Sequence, residues 1–178
     1  MSESSRANRR SSSAARIVVT ALTIVLAATA TTAASDHGGN AAAANTKALV
    51  GSWVETVTFP PESGRPPLKS LGTFHDDHTM VCSDQGGVTT EPPSLFTSCH
   101  GAWEHLDHRK FAYTSYELIS DLSGNLVGYL RVRGIYTVSK SGNEYNGTSF
   151  AQIFDTGGNV LFSVEVANAG KRIGVELP

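Results

Sequence analysis

From Leu49 onward, apolar and polar positions alternate with a period of two, and no stretch of ten residues carries apolar side chains at helical spacing. That pattern predicts strands throughout. The β-favouring runs fall at 52–59, 69–75, 79–83, 96–104, 111–120, 126–138, 144–154 and 159–167, with a closing segment near 172–177. Between them lie clusters such as Asp121-Leu122-Ser123-Gly124-Asn125, Ser141-Gly142-Asn143 and Thr156-Gly157-Gly158-Asn159, whose Gly, Asn and Asp residues close short hairpins. Two longer connections, 60–67 and 85–94, carry prolines that cannot continue a central strand, and such loops commonly rim a barrel mouth. Sequential hairpins without a crossover helix predict an all-β domain: a single antiparallel up-and-down barrel of about eight strands, whose closure removes the exposed edges. An open sandwich is the alternative.

The pattern changes before Leu49. Arg6, Arg9, Arg10 and Arg16 precede an apolar stretch from Ile17 to Ala30 that ends in small residues, the layout of a secretion signal. Residues 1–34 are therefore read as a signal peptide cleaved between 30 and 35, residues 35–46 as a flexible linker, and residues 47–178 as the barrel. An uncleaved anchor spanning Ile17 to Ala34 is the competing reading, and it is the case in which a membrane is expected as a partner.

Export alters the meaning of charge and cysteine. The leader holds four of the fourteen Lys and Arg residues and one of the sixteen acids, leaving the mature part with ten positive and fifteen negative charges. A net charge near −5 argues against a nucleic-acid surface. Cys82 and Cys99 both lie in the exported part, where an oxidising compartment pairs them, and closing this loop is worth about 3 kcal/mol in the chain-entropy model. The expected location is secreted or cell-surface.

The first strand opens with Gly51-Ser52-Trp53, which resembles the Gly-x-Trp at the start of lipocalins and their calycin relatives. The resemblance rests on this motif and on the strand pattern over most of 49–177. It implies that Trp53 closes the barrel floor with an arginine packed over it, for which Arg172 is the candidate, and that the barrel encloses something apolar. A second copy of the motif, Gly101-Ala102-Trp103, follows fifty residues later. A Thr-Asp-Tyr motif and room for a packed C-terminal helix are both missing, so the chain looks more like a compact bacterial lipocalin-like barrel, and no family ligand carries over.

Strand alternation then selects inward positions. In 126–138 the apolar phase places Tyr136 inward and Arg131 and Arg133 outward. In 148–154 it is Phe150 and Phe154 that are expected inward, with Gln152 between them. Glu117 follows the phase of Phe111 and Tyr113, and Glu55 that of Trp53. Inward polar groups must be hydrogen-bonded or wet, which suits them to orient a ligand or move a proton. The expected ligand-lining set is therefore Trp103, Tyr113, Glu117, Tyr136, Phe150 and Gln152. Glu117, Tyr113 and His100 are the candidates for acid–base chemistry, a buried carboxyl having a raised pKa. Histidines 75, 78, 105 and 108 flank two turns without any defined metal-ligand spacing, so no metal and no cofactor are expected. The leading expectation is an exported barrel that binds a small hydrophobic molecule. The alternatives are a barrel-type cyclase or isomerase acting on a hydrophobic intermediate, and a secreted protein-binding module using the two long loops.

Overall fold

A computed structural model of the chain describes residues 46–85 and 93–177. The leader at 1–34 and all but the last residue of the linker lie outside them. Nine strands form: β1 (Gly51–Thr58), β2 (Leu68–Phe74), β3 (Thr79–Asp84), β4 (Leu95–Phe96), β5 (Cys99–Asp107), β6 (Lys110–Ser120), β7 (Leu126–Val138), β8 (Glu144–Asp155) and β9 (Val160–Arg172). A single 3-10 turn at Pro61–Ser63 interrupts the long β1–β2 connection. Eight of the strands close an antiparallel barrel in up-and-down order, β9 returning to pair with β1, while β4 is an extra two-residue strand against the end of β6.

Two boundaries differ from the sequence reading. The run 96–104 splits into β4 and β5, and the last strand continues through Ala167–Gly170 to Arg172, leaving 173–177 without strand structure. Small residues hid that continuation, yet β9 must reach Arg172 to pair with the start of β1, where Trp53 faces Arg172.

The antiparallel order sorts the connections onto two ends. Residues 46–50 and the turns after β2, β5 and β7 lie at one end. The connections after β1, β6 and β8 and the end of β3 lie at the other, so the β1–β2 loop with its prolines stands at that mouth. The first end is closed. Leu49, Trp53, Phe74, Met80, Trp103, Phe111, Tyr136, Val138 and Tyr145 pack there into one buried cluster, each large apolar side chain contributing about 1.5–3 kcal/mol. Trp53 donates its indole N–H to the Leu49 carbonyl at 2.9 Å, and the Arg172 guanidinium lies 4.2 Å from the centroid of its ring. The same guanidinium donates to the carbonyls of Ala48, Val50 and Gly142 at 2.6–2.7 Å, tying three segments across the floor. Gly51 makes this possible, because its φ is +129° and a side chain there would collide with Arg172.

Cys82 and Cys99 face each other across β3 and β5 and form a disulfide, with Cα atoms 4.9 Å apart. Such a bond fits an extracellular protein. Among the described residues, no helix is long and apolar enough to cross a membrane.

Candidate functional site

The inward face carries more polar groups than a packed barrel needs. Halfway up, five side chains from five strands form a ring. Tyr136 Oη lies 2.9 Å from Glu55 Oε1 and 3.0 Å from Tyr113 Oη; Tyr113 Oη lies 2.7 Å from Ser149 Oγ; Ser149 donates to Asn168 Oδ1 at 2.6 Å; and Asn168 Nδ2 donates back to Glu55 Oε1. All five residues are buried.

Counting hydrogens fixes the state of this ring. Tyr136, Tyr113, Ser149 and the Asn168 amide supply one hydrogen each, four for five contacts, if Glu55 is ionised. A neutral Glu55 supplies the fifth. Every contact then has a hydrogen available to it. Burial acts the same way, raising the Glu55 pKa against the opposing effect of its hydrogen bonds, with Asp84 adding a smaller repulsion. Burial also pushes the Tyr113, Tyr136 and Tyr145 hydroxyls above the ordinary phenol range. Tyr145 is only 1% exposed. Its hydroxyl sits beside Glu55 but meets no partner at hydrogen-bonding geometry among the described residues.

Above the ring the inward side chains among the described residues are less buried. Val57, Leu68, Leu130, Val132, Ile153 and Val164 share the inward phase, yet all are only half-buried. Phe162, inward and nearer the rim, is 43% exposed. Inward apolar residues stay accessible only where the interior opens, so these residues line an apolar cup beneath the mouth. Arg65 from the β1–β2 loop reaches over it, its guanidinium 5.2 Å from the Phe59 ring centroid and 5.8 Å from that of Phe162.

Two carboxyls share this space. Glu117 is 6% exposed and makes no hydrogen bond or ion pair with any described residue. Its pKa is pushed up to about 8, chiefly by burial and further by the nearby Asp84 charge. Asp84 stands at the solvent-facing end of β3, in register with Ser70 and Glu55. Desolvation raises its pKa and a Ser70 hydrogen bond opposes that rise.

The residues expected to act separate into three groups. Glu117 reaches the cup. Trp103, Tyr113 and Tyr136 point inward but lie in the packed half, where Trp103 donates to the His75 carbonyl at 3.0 Å and the two tyrosines belong to the ring. Phe150, Gln152 and His100 face outward, which corrects the expected phase. Phe150 is 38% exposed and is in register with Arg133 and Glu165, Gln152 accepts a hydrogen bond from Arg131 at 2.7 Å on the outer wall, and His100 is exposed beside the inward Cys99. In β8 the inward positions are instead Tyr145, Gly147, Ser149, Ala151 and Ile153. Small and polar residues hold the inner phase there because bulky Tyr113 and Tyr136 rings fill the space: a side chain at Gly147 would strike Tyr136.

The same misphasing hid Ser149. Asn168 fell outside the expected strand, and Asp84 lay one residue past an expected end. Extending the Val164–Val166 alternation by one step would have found Asn168. The histidine turns do gather at the closed end, where His78 stacks on Trp103 with centroids 4.7 Å apart and His105 contacts the His108 carbonyl at 2.8 Å.

These features define an eight-stranded closed antiparallel β-barrel, consistent with a calycin-like barrel, with a packed floor. Comparison with family models, curated proteins and solved structures found no match.

Proposed function

We propose that this is an exported lipocalin-like barrel that binds a small hydrophobic molecule in the open half, with Glu117 orienting it. The observation that carries this reading is Glu117, a buried carboxyl with no partner among the described residues, on the inward face with half-buried apolar side chains. A neutral carboxyl donates one hydrogen bond and accepts another, which fits a ligand bearing one polar group on an apolar body. Half-buried Leu130, Val132, Ile153 and Val164 supply the apolar contact, and Arg65 stands at the entrance.

The test is titration with the neutral fluorescent probe N-phenyl-1-naphthylamine, alongside native mass spectrometry of protein purified from its own host. Wild type binds the probe, and Val132→Trp with Val164→Trp fills the cup and removes binding while the disulfide-bonded fold persists. Equal probe binding by the filled variant would overturn the reading.

The Glu117–Asp84 pair favours one second reading, a cyclase or isomerase. Repulsion between neighbouring carboxyls keeps one of them protonated near neutral pH, as a general acid requires. In that case Glu117→Gln abolishes turnover while probe binding remains.

A further inference from the structure

We propose that the outer wall of β6–β9 at the open end docks onto a phospholipid bilayer, with the loop tips at the acyl boundary and Arg131 and Arg133 on headgroup phosphates. The sequence reading tied membrane contact to an uncleaved leader. This surface belongs to the barrel itself and is independent of what the cup holds.

The argument begins with the order of side chains down the wall. Outward positions of β7 run from the rim as Val127, Tyr129, Arg131 and Arg133. At about 3.3 Å per residue, Val127 to Arg131 spans about 13 Å, a headgroup-scale step. At the same end Leu122 in the β6–β7 turn and Leu161 at the start of β9 are exposed, and Leu118 on β6 is exposed in register with Tyr129. Tyr129 pairs with Tyr116, which is in register with Arg131, their ring centroids 6.1 Å apart. Aliphatic tips, then aromatic rings, then cations is the order in which a bilayer interface accepts side chains. The turns at the opposite end are built from His, Asp, Ser, Gly and Asn with Arg109 and Lys140, and exposed Leu106 is the large apolar side chain at the end of β5 there.

Charge supplies the second argument. Arg131 and Arg133 donate to the same neutral oxygen, Gln152 Oε1, at 2.7 and 3.3 Å. Neither forms an ion pair among the described residues, where Arg131 Nε is buried without a hydrogen-bond partner and the Arg131 guanidinium lies 4.7 Å from the Phe154 ring centroid. Glu165, the nearest acid by register, is separated from Arg133 by Phe150. The tip carboxylates Asp121 and Asp155 are turned into their own loops, each accepting three hydrogen bonds there. Two adjacent guanidiniums without a counter-charge match a phosphate, which both forks can reach.

Co-sedimentation of the full chain with phosphatidylcholine vesicles, and with mixed phosphatidylcholine–phosphatidylglycerol vesicles, tests the proposal. The leader is identical in every variant, so differences between variants report the barrel. Arg131→Gln with Arg133→Gln lowers binding to the mixed vesicles by about tenfold or more. Val127→Asp with Leu161→Asp lowers binding to both kinds, while Leu106→Asp at the far end changes neither. Inorganic phosphate fails to release the bound protein. Melting curves confirm that each variant folds. Three results would overturn the proposal: both double variants sediment as wild type does, inorganic phosphate releases the protein, or lipid-free wild type is a dimer that the same substitutions dissociate.

Discussion

At the scale of single residues, protonation decides most. Glu117 has a folded pKa of about 8 against an ordinary value of 4.5. Below 4.5 it is neutral in both the folded and unfolded chain, and its contribution to stability is fully present. As pH rises towards 8 the unfolded chain releases its proton first, so stability falls; beyond 8 both states are ionised and the loss levels off. Urea denaturation across this range should show that decline, and Glu117→Gln should flatten it. Glu55 and Asp84, also raised, act in the same direction and leave a residual slope. The ring makes a separate demand on Glu55, because Oε1 must donate once and accept once. An amide atom does only one of these, so Glu55→Gln should cost about 1–3 kcal/mol at pH 5, measured by chemical denaturation. The infrared band of the Glu55 carboxylic acid should disappear with it, while that of Glu117 persists. Gly51→Ala should also destabilise by about 1–3 kcal/mol, since its φ is positive and Arg172 occupies the space a methyl would need.

Phase and register govern the elements. Phe150 looks like a core residue by its chemistry, and β8 reads inward at Phe150 and Phe154 when apolar character alone is weighed. The real inward phase holds Gly147, Ser149 and Ala151, because the facing β6 and β7 contribute the bulk from Tyr113 and Tyr136. Phe150→Ser should therefore change stability by about 0.5 kcal/mol or less, whereas Phe111→Ala in the packed half should cost about 3–5 kcal/mol. The disulfide joins β3 to β5, neighbours in the barrel that are separated in the chain by β4 and a long connection. Reducing it, or replacing both cysteines with serine, should lower unfolding free energy by about 3 kcal/mol under the chain-entropy model. Denaturation with and without reductant measures this.

For the whole molecule, the barrel divides into a floor that carries stability and a cup that carries recognition. Val164→Ala and Leu130→Ala in the half-exposed cup should cost markedly less than Phe111→Ala, so probe affinity can be altered there without unfolding the chain. The sequence by itself determined the all-β class, the up-and-down order, the disulfide pair and the inward course of Glu55, Tyr113, Glu117 and Tyr136, while the pairing of Trp53 with Arg172 came from the resemblance to lipocalins. Each follows from local alternation, turn chemistry or a short motif. Only the tertiary structure decided that Phe150, Gln152 and His100 lie outside, that Ser149 and Asn168 close a ring on Glu55, and that Asp84 stands beside Glu117. Those facts depend on which side chains meet across strands far apart in the chain, and on how much volume each neighbour brings. Alternation along one strand carries no record of either.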